Sequence, residues 1–312
     1  MVSRETLQEL AAFEFDPMND VAFKFLFGSE KRKQITLAFL NAILEPWIGR
    51  TIKDLEFLPT EMVPYSDSGK LTRLDVVCKL DDCETVNVEV QVVNYKEMDH
   101  RTLYYWAQLF LKALKKADRY RDLKPVITIN ILSFNLFPEP DDDPHDVYSV
   151  CSLKSYRRMN RDMELHFLEL PKYRNYRKKN KNSVAEMSSL ERWLAFFANN
   201  LNIDEQEELV MADAAISTAL EESRIFLSDT AEQLDYLNRR MAIMDYNSGM
   251  ADSYEDGLAK GEKKGEKKGE EKGVKKVAIA MLKNKVPFDT IQLYTSLSQA
   301  QIEQIAKDNN LM

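Results

Sequence analysis

Two neighbouring runs, residues 74–80 and 85–93, mirror one another about Asp82, and this symmetry limits the fold more tightly than any other feature of the sequence. A turn centred on Asp82 pairs Leu74 with Val90, Val76 with Val88 and Cys78 with Val86, all apolar. Side chains alternate between the two faces of a strand. The opposite face therefore sets Arg73 against Gln91, Asp75 against Glu89 and Val77 against Asn87. A slip of one residue would place apolar side chains against polar ones, so the parity of the pairing is specified; a slip of two would preserve it.

In the symmetric register Asp75 and Glu89 face each other with Cβ atoms about 4.5–5.5 Å apart, which is unfavourable for like charges without compensation. Two carboxylates that close in this way form a site for a hard divalent cation, Mg²⁺ or Mn²⁺ ahead of softer metals, with Ca²⁺ also compatible with oxygen ligands. Gln91 lies two residues beyond Glu89 on the same face. Its amide can bond a nucleophilic water or a phosphate oxygen, and its carbonyl can help hold a metal. The residues alone leave a second reading open, an amphipathic hairpin with one wet face.

Around the hairpin, residues 15–44 read as helical, with Phe23, Leu26, Phe27, Leu37, Phe39, Leu40, Ile43 and Leu44 recurring at helical spacing, a break at Gly28-Ser29 and a stop at Pro46. Residues 52–58, 72–80 and 85–93 favour β-structure, residues 97–117 a helix and residues 125–132 a buried strand. That order points to a mixed α/β layer structure. Residues 135–146, with Glu139, Asp141 to Asp143 and three prolines, read as a surface loop before short strands near 147–153 and 164–170. From 187 to 244 the periodicity is helical again, with Trp193, Leu194, Phe196 and Phe197 expected in the core.

The length of 312 residues, with 44% hydrophobic and 30% charged, suits a large folded chain rather than a disordered or fibrous one. Lysine and arginine number 43 against 51 acids, a net charge of −8, so contact with nucleic acid has to come from local basic patches. One candidate is residues 172–182, which hold six basic residues, among them Arg174, Arg177, Lys178 and Lys179, and no acid. They read either as a phosphate-contacting loop or as a solvated one. Cys78, Cys83 and Cys151 form no CxxC pair, and His100, His145 and His166 lack zinc-site spacing, so a reducing interior without structural zinc is expected. No run reaches the roughly 18 apolar residues of a membrane span, and the charged start does not resemble a signal peptide. A cytoplasmic protein without membrane contact is the expectation.

Five of the nine glycines, Gly257, Gly261, Gly265, Gly269 and Gly273, recur every fourth residue. On a helix they would draw a stripe drifting by about 40° per repeat. Such a stripe lets a second helix approach closely, but each glycine costs about 1 kcal/mol against alanine. Lys263/Lys267, Lys264/Lys268 and Glu262/Glu266 also set like charges one turn apart. The repeat is thus either a flexible tether or a helix stabilised by self-association. Beyond it, the apolar residues 277–282 and a capping-box pattern of Ser298 with Gln301 indicate a small helical module, expected to mediate oligomerisation or regulation.

Four stretches then carry a resemblance: Asn19-Asp20-Val21-Ala22-Phe23-Lys24-Phe25-Leu26-Phe27-Gly28, Gly69-Lys70-Leu71-Thr72-Arg73-Leu74-Asp75, Val88-Glu89-Val90-Gln91, and Arg101 with Tyr104-Tyr105. In this order, followed by the glycine repeat, they resemble the bacterial Rpn family, recombination-promoting nucleases or transposases of the PD-(D/E)XK type. Glutamine is usual there at the position that lysine holds in other nucleases of this type. The resemblance implies an α/β fold: a PD-(D/E)XK restriction-endonuclease-like core, a mixed sheet flanked by helices, over residues 15–185. A helical extension over 186–250, the repeat over 251–276 and a helical tail over 277–312 would follow.

It also implies Asp75 and Glu89 as the principal metal ligands, Asp20 as a helix-borne acid assisting them, and Gln91 as the residue positioning water. Asp20 has another reading, since Asn19 or Asp20 before an apolar run suits a helix N-cap. The implied reaction is metal-dependent hydrolysis of DNA phosphodiesters in recombination, mobile-element biology or defence against foreign DNA. Lys24, Arg101, Tyr104 and Tyr105 would line the DNA cleft, and Lys112, Lys115, Lys116, Arg119 and Arg121 would extend a basic stretch; Lys24 reads equally as an exposed helix lysine, and the other lysines as a solvated helix face. The alternative is a catalytically silent DNA-binding or regulatory protein on the same fold, assembling through its tail.

Overall fold

A computed structural model describes residues 2–62, 72–81, 84–112, 119–137, 143–180 and 182–311. The turn residues Asp82 and Cys83, the motif residues Gly69 to Leu71, Lys115, Lys116, Glu139, Asp141, Asp142 and Lys181 lie outside the described residues. The chain divides into two compact units, Met1–Ile243 and Met244–Met312.

The first unit opens with helices α1 (Arg4–Phe13), α2 (Asp20–Phe27) and α3 (Lys33–Ile48). Strands β1 (Leu55–Phe57), β2 (Glu61–Met62), β3 (Thr72–Arg73), β4 (Val76–Leu80) and β5 (Thr85–Gln91) follow, then helix α4 (Met98–Lys112). Strands β6 (Val126–Leu132), β7 (His145–Tyr148) and β8 (Met163–Glu169) complete the sheet. Helices α5 (Leu170–Asn180), α6 (Ser189–Ala198), α7 (Ile203–Ala212), α8 (Ala214–Ser228) and the first turns of α9 (Thr230–Lys283) close the unit.

Six strands form one mixed sheet in the order β1-β4-β5-β6-β8-β7, and β2 pairs with β3 in a separate ribbon. The centre is parallel, β5 with β6 and β6 with β8, while the outer pairs are antiparallel. β4 and β5 pair Val76 with Val88, Val77 with Asn87 and Cys78 with Val86, the symmetric register expected from the sequence. β6, VITINIL, is buried throughout, as a central strand covered on both faces must be.

One face of the sheet, with Val76, Cys78, Val86, Val88, Val90, Ile127, Ile129 and Ile131, forms the main core with α2, α3 and α6. The ring of Phe27 lies 5.4 Å from Phe39, 5.8 Å from Trp193 and 5.6 Å from Phe197 between centroids, so α2 is keyed to α3 and α6 by aromatic packing. α4 covers the other face, with Tyr105 and Leu109 on Val77 and Val126. Gly28 follows α2 where a Cβ would meet the Lys24 carbonyl oxygen at 2.7 Å, which explains the glycine that ends this motif.

Three local expectations are corrected. α3 does not stop at Pro46 but runs to Ile48, ending at Gly49 in the left-handed conformation with φ 74°. Residues 172–180 are not a loop, because α5 spans Leu170–Asn180. Tyr173 and Lys172 are buried there, and Lys172 Nζ pairs with Glu169 Oε2 at 2.6 Å. β7 begins at His145, within the stretch expected as loop.

In the second unit the remainder of α9 joins α10 (Phe288–Thr295) and α11 (Gln299–Asp308) around Ala278, Leu282, Ile291, Ile302, Ile305 and Ala306. The capping box of Ser298 and Gln301 is present at the start of α11. The five-glycine repeat lies within α9, so of its two readings the helix is the one observed. Among the described residues no helix is long and apolar enough to cross a membrane.

Candidate functional site

Asp75 precedes the first residue of β4, directly across from Glu89 on β5. The two are laced together by reciprocal bonds: the Asp75 N–H donates to Glu89 Oε1 at 3.2 Å, and the Val90 N–H donates to Asp75 Oδ2 at 3.1 Å. Glu89 is only 2% exposed. Burial, and then the neighbouring Asp75 charge, pushes its pKa up to about 8. Burial also raises the pKa of Asp75, although Lys24 works against that rise. The pair is thus short of positive charge, as expected when two carboxylates share a desolvated spot.

α2 supplies a cation. Asn19 makes the N-cap, its side chain accepting from the Val21 N–H at 3.1 Å, so Asp20 is the first helical residue and its carboxylate faces other partners. Lys24, one turn on, places Nζ 2.9 Å from Asp75 Oδ1 and 3.7 Å from Asp20 Oδ2. Burial opposes its charge, but Asp75, Asp20 and Glu89 outweigh that and hold its pKa above the ordinary lysine value. Asp20 Oδ1 in turn takes the Arg239 Nε–H of α9 at 2.6 Å.

On the α4 side, Gln91 Oε1 accepts from Arg101 Nη1 at 3.2 Å, and Arg101 Nη2 donates to Tyr105 Oη at 3.0 Å. Tyr105 is buried, whereas Tyr104 is exposed and accepts from Gln108 Nε2 at 2.7 Å. The structure therefore joins Asp20, Lys24, Asp75 and Glu89 in one network and Gln91, Arg101 and Tyr105 in a second, the two adjoining along β5 at Glu89 and Gln91. The basic residues of α5 are not joined to either by any contact described. Arg174 donates to the Ala198 carbonyl at 2.9 Å and Arg177 pairs with Glu205 at 2.9 Å, which ties α5 to α6 and α7, while Lys178 and Lys179 are exposed.

Arg239 is the member that sequence reasoning missed. More than 200 residues separate it from Asp20, and no local pattern in α9 marks it. Among the described residues no group of three or more His, Cys, Asp or Glu side chains is arranged to hold a metal ion. Two carboxylates suffice for Mg²⁺, which keeps several waters. The Lys24 ammonium beside Asp75 marks the same spot as one that accepts positive charge, so the donor set fits a hard divalent cation.

A family model described as PD-(D/E)XK nuclease family transposase matches residues 17–253, which include every member of both networks. Neither a curated protein nor a solved structure matches the chain.

Proposed function

The chain belongs to the PD-(D/E)XK nuclease family transposases, and on this premise we propose that it is a divalent-metal-dependent DNA endonuclease centred on Asp75 and Glu89. The observation that carries the reading is the laced carboxylate pair, buried, raised in pKa and already facing a cation at 2.9 Å. Nucleases of this type generally use divalent metals; Mg²⁺ or Mn²⁺ suits these oxygen donors first, and Ca²⁺ is compatible. When bound, the metal would neutralise a non-bridging phosphate oxygen and lower the pKa of a bound water.

The remaining work falls to the side chains. Asp75 and Glu89 would hold the cation through their carboxylate oxygens, leaving its other positions to water and phosphate. Gln91 has its carbonyl oxygen fixed by Arg101, which leaves its amide N–H groups to orient the attacking water or a phosphate oxygen. Lys24 offers the ammonium that Gln91 lacks, and Arg101 a guanidinium; both stabilise charge that builds on the phosphate. Asp20, paired by Arg239, assists from the start of α2. Tyr104 lines the DNA approach while Tyr105, buried beneath it, anchors Arg101, and Lys178 and Lys179, with Arg174 and Arg177 fixing their helix, extend it along α5.

The wider assignment follows the same reading: a nuclease core over residues 15–185, a helical extension, and a repeat and tail through which copies self-associate. It acts in the cytoplasm on DNA, in recombination, mobile-element biology or defence. A second reading, a silent DNA-binding or regulatory protein, is favoured by one observation, that Lys24 already compensates Asp75.

Supercoiled plasmid incubated with the full chain in Mg²⁺, Mn²⁺ or EDTA separates the two. Nicking or linearisation that requires metal and vanishes in folded Asp75→Asn and Glu89→Gln variants supports the endonuclease. Plasmid that is retarded on a gel yet left intact under every metal supports the silent reading.

A further inference from the structure

A second buried polar cluster lies on the β7–β8 edge of the sheet, and nothing in the nuclease reading uses it. Arg158 Nη2 donates to Glu164 Oε1 at 2.6 Å, His166 Nε2 faces Glu164 Oε2 at 3.4 Å, and His145 Nε2 faces His166 Nδ1 at 2.9 Å. His166 is fully buried. Trp47, at the end of α3, stands edge-on to both imidazoles, with centroids 6.0 Å from His145 and 5.9 Å from His166.

The chain of bonds fixes the tautomers. Glu164 only accepts, so the proton of neutral His166 sits on Nε2 and its Nδ1 accepts. His145 must then carry its proton on Nε2, which leaves its Nδ1 an acceptor. Burial, with the adjacent His166, pushes the pKa of His145 down to about 3 and keeps this ring neutral. No contact described occupies His145 Nδ1.

His145 lines a cavity of about 580 Å³ between the end of α3 and the start of α6, together with Trp47, Glu45, Asp213 and Leu190. That volume suits a small ligand. Neither lysine nor arginine is among the residues lining it. Glu45 uses Oε1 to accept from Thr51, and Asp213 uses Oδ1 to cap α8, so each keeps its second carboxylate oxygen without a described partner. Trp47 is 42% exposed. Two carboxylates, a fixed imidazole acceptor and an exposed indole together favour an organic cation.

We propose that this cavity binds a primary alkylammonium ion, its charge between Glu45, Asp213 and His145 Nδ1 and its alkyl stem against Trp47. The ammonium comes either from a free diamine or from a lysine side chain of another protein. This site is independent of the carboxylate pair on β4 and β5.

Calorimetric titration of the full chain tests it with 1-pentylamine, 1,5-diaminopentane, a blocked lysine-containing pentapeptide and, as neutral control, 1-pentanol. Saturable binding of an amine at one site per chain is expected, with pentanol at least about tenfold weaker. The variant Glu45→Gln/Asp213→Asn keeps the hydrogen bonds and the helix cap but removes both charges, and should lose the preference for amine over alcohol. Trp47→Ala should weaken the amine by about tenfold and Trp47→Phe should restore part of the loss. Tighter binding of the pentapeptide assigns the lysine source; tighter binding of the diamine assigns the free one. Absence of saturable binding by all three cations, pentanol as tight as pentylamine, or undiminished binding by the double-charge variant would each overturn the proposal. Plasmid cleavage is measured alongside and should be unchanged in these variants, so the two proposals can fail separately.

Discussion

The two faces of β4 and β5 are made by alternate residues of the same strands, yet they differ in kind. One face, Val76, Cys78, Val86, Val88 and Val90, is closed under α2, α3 and α6 by apolar side chains alone. The other carries Asn87 and Glu89, both buried, and Gln91 at the strand end. On this side the side-chain oxygen of Asn87 and the Thr128 hydroxyl have no hydrogen-bond partner among the described residues. The first face contributes stability through burial; the second retains buried polar groups that cost stability. Desolvated carboxylates with shifted pKa values are what a candidate functional site presents.

The comparison can be broken at several points. The largest stability loss is expected on the apolar side: Phe27→Ala empties the aromatic junction of α2, α3 and α6 and should cost about 3–5 kcal/mol in urea denaturation. On the polar side the sign reverses. Glu89 binds its proton more tightly folded, at about 8, than at its ordinary 4.5, so the folded state holds more protons within that window. Stability should therefore fall as pH rises from 4.5 toward 8. Glu89→Gln should remove most of that slope and be more stable than wild type by on the order of 2–4 kcal/mol at pH 9. A variant that is less stable there would mean that the site is no burden.

Lys24→Met leaves Asp75 without its cation and should cost about 1 kcal/mol near neutral pH, since Lys24 is itself partly solvated. Equilibrium denaturation at pH 5 and pH 8 would register it. The smallest effect belongs to Arg239→Ala, less than about 0.5 kcal/mol by the same measurement, because its pair with Asp20 is partly exposed and screened by solvent.

Much of this contrast was legible in the sequence. Period-two alternation fixed the parity of the hairpin, and the same parity placed Asp75, Glu89 and Gln91 on one side. Helical spacing likewise marked α2, α3 and α6. What escaped depends on contacts distant in sequence. Arg239 reaches Asp20 from α9, and His145 meets His166 across an antiparallel pair, neither being spaced as a motif. α5 escaped because its buried side rests on Tyr173 and on a lysine neutralised by Glu169, while the rest of its composition reads as solvated loop.

The central claim is that Asp75 and Glu89 form a cation site, and Mn²⁺ titration of the full chain, followed by the loss of free-Mn²⁺ EPR signal, tests it without relying on cleavage. The account predicts one saturable Mn²⁺ site in wild type, lost in both Asp75→Asn and Glu89→Gln with the fold intact by circular dichroism. Mn²⁺ bound equally by wild type and both variants, or not bound by wild type even with plasmid DNA present, would contradict it.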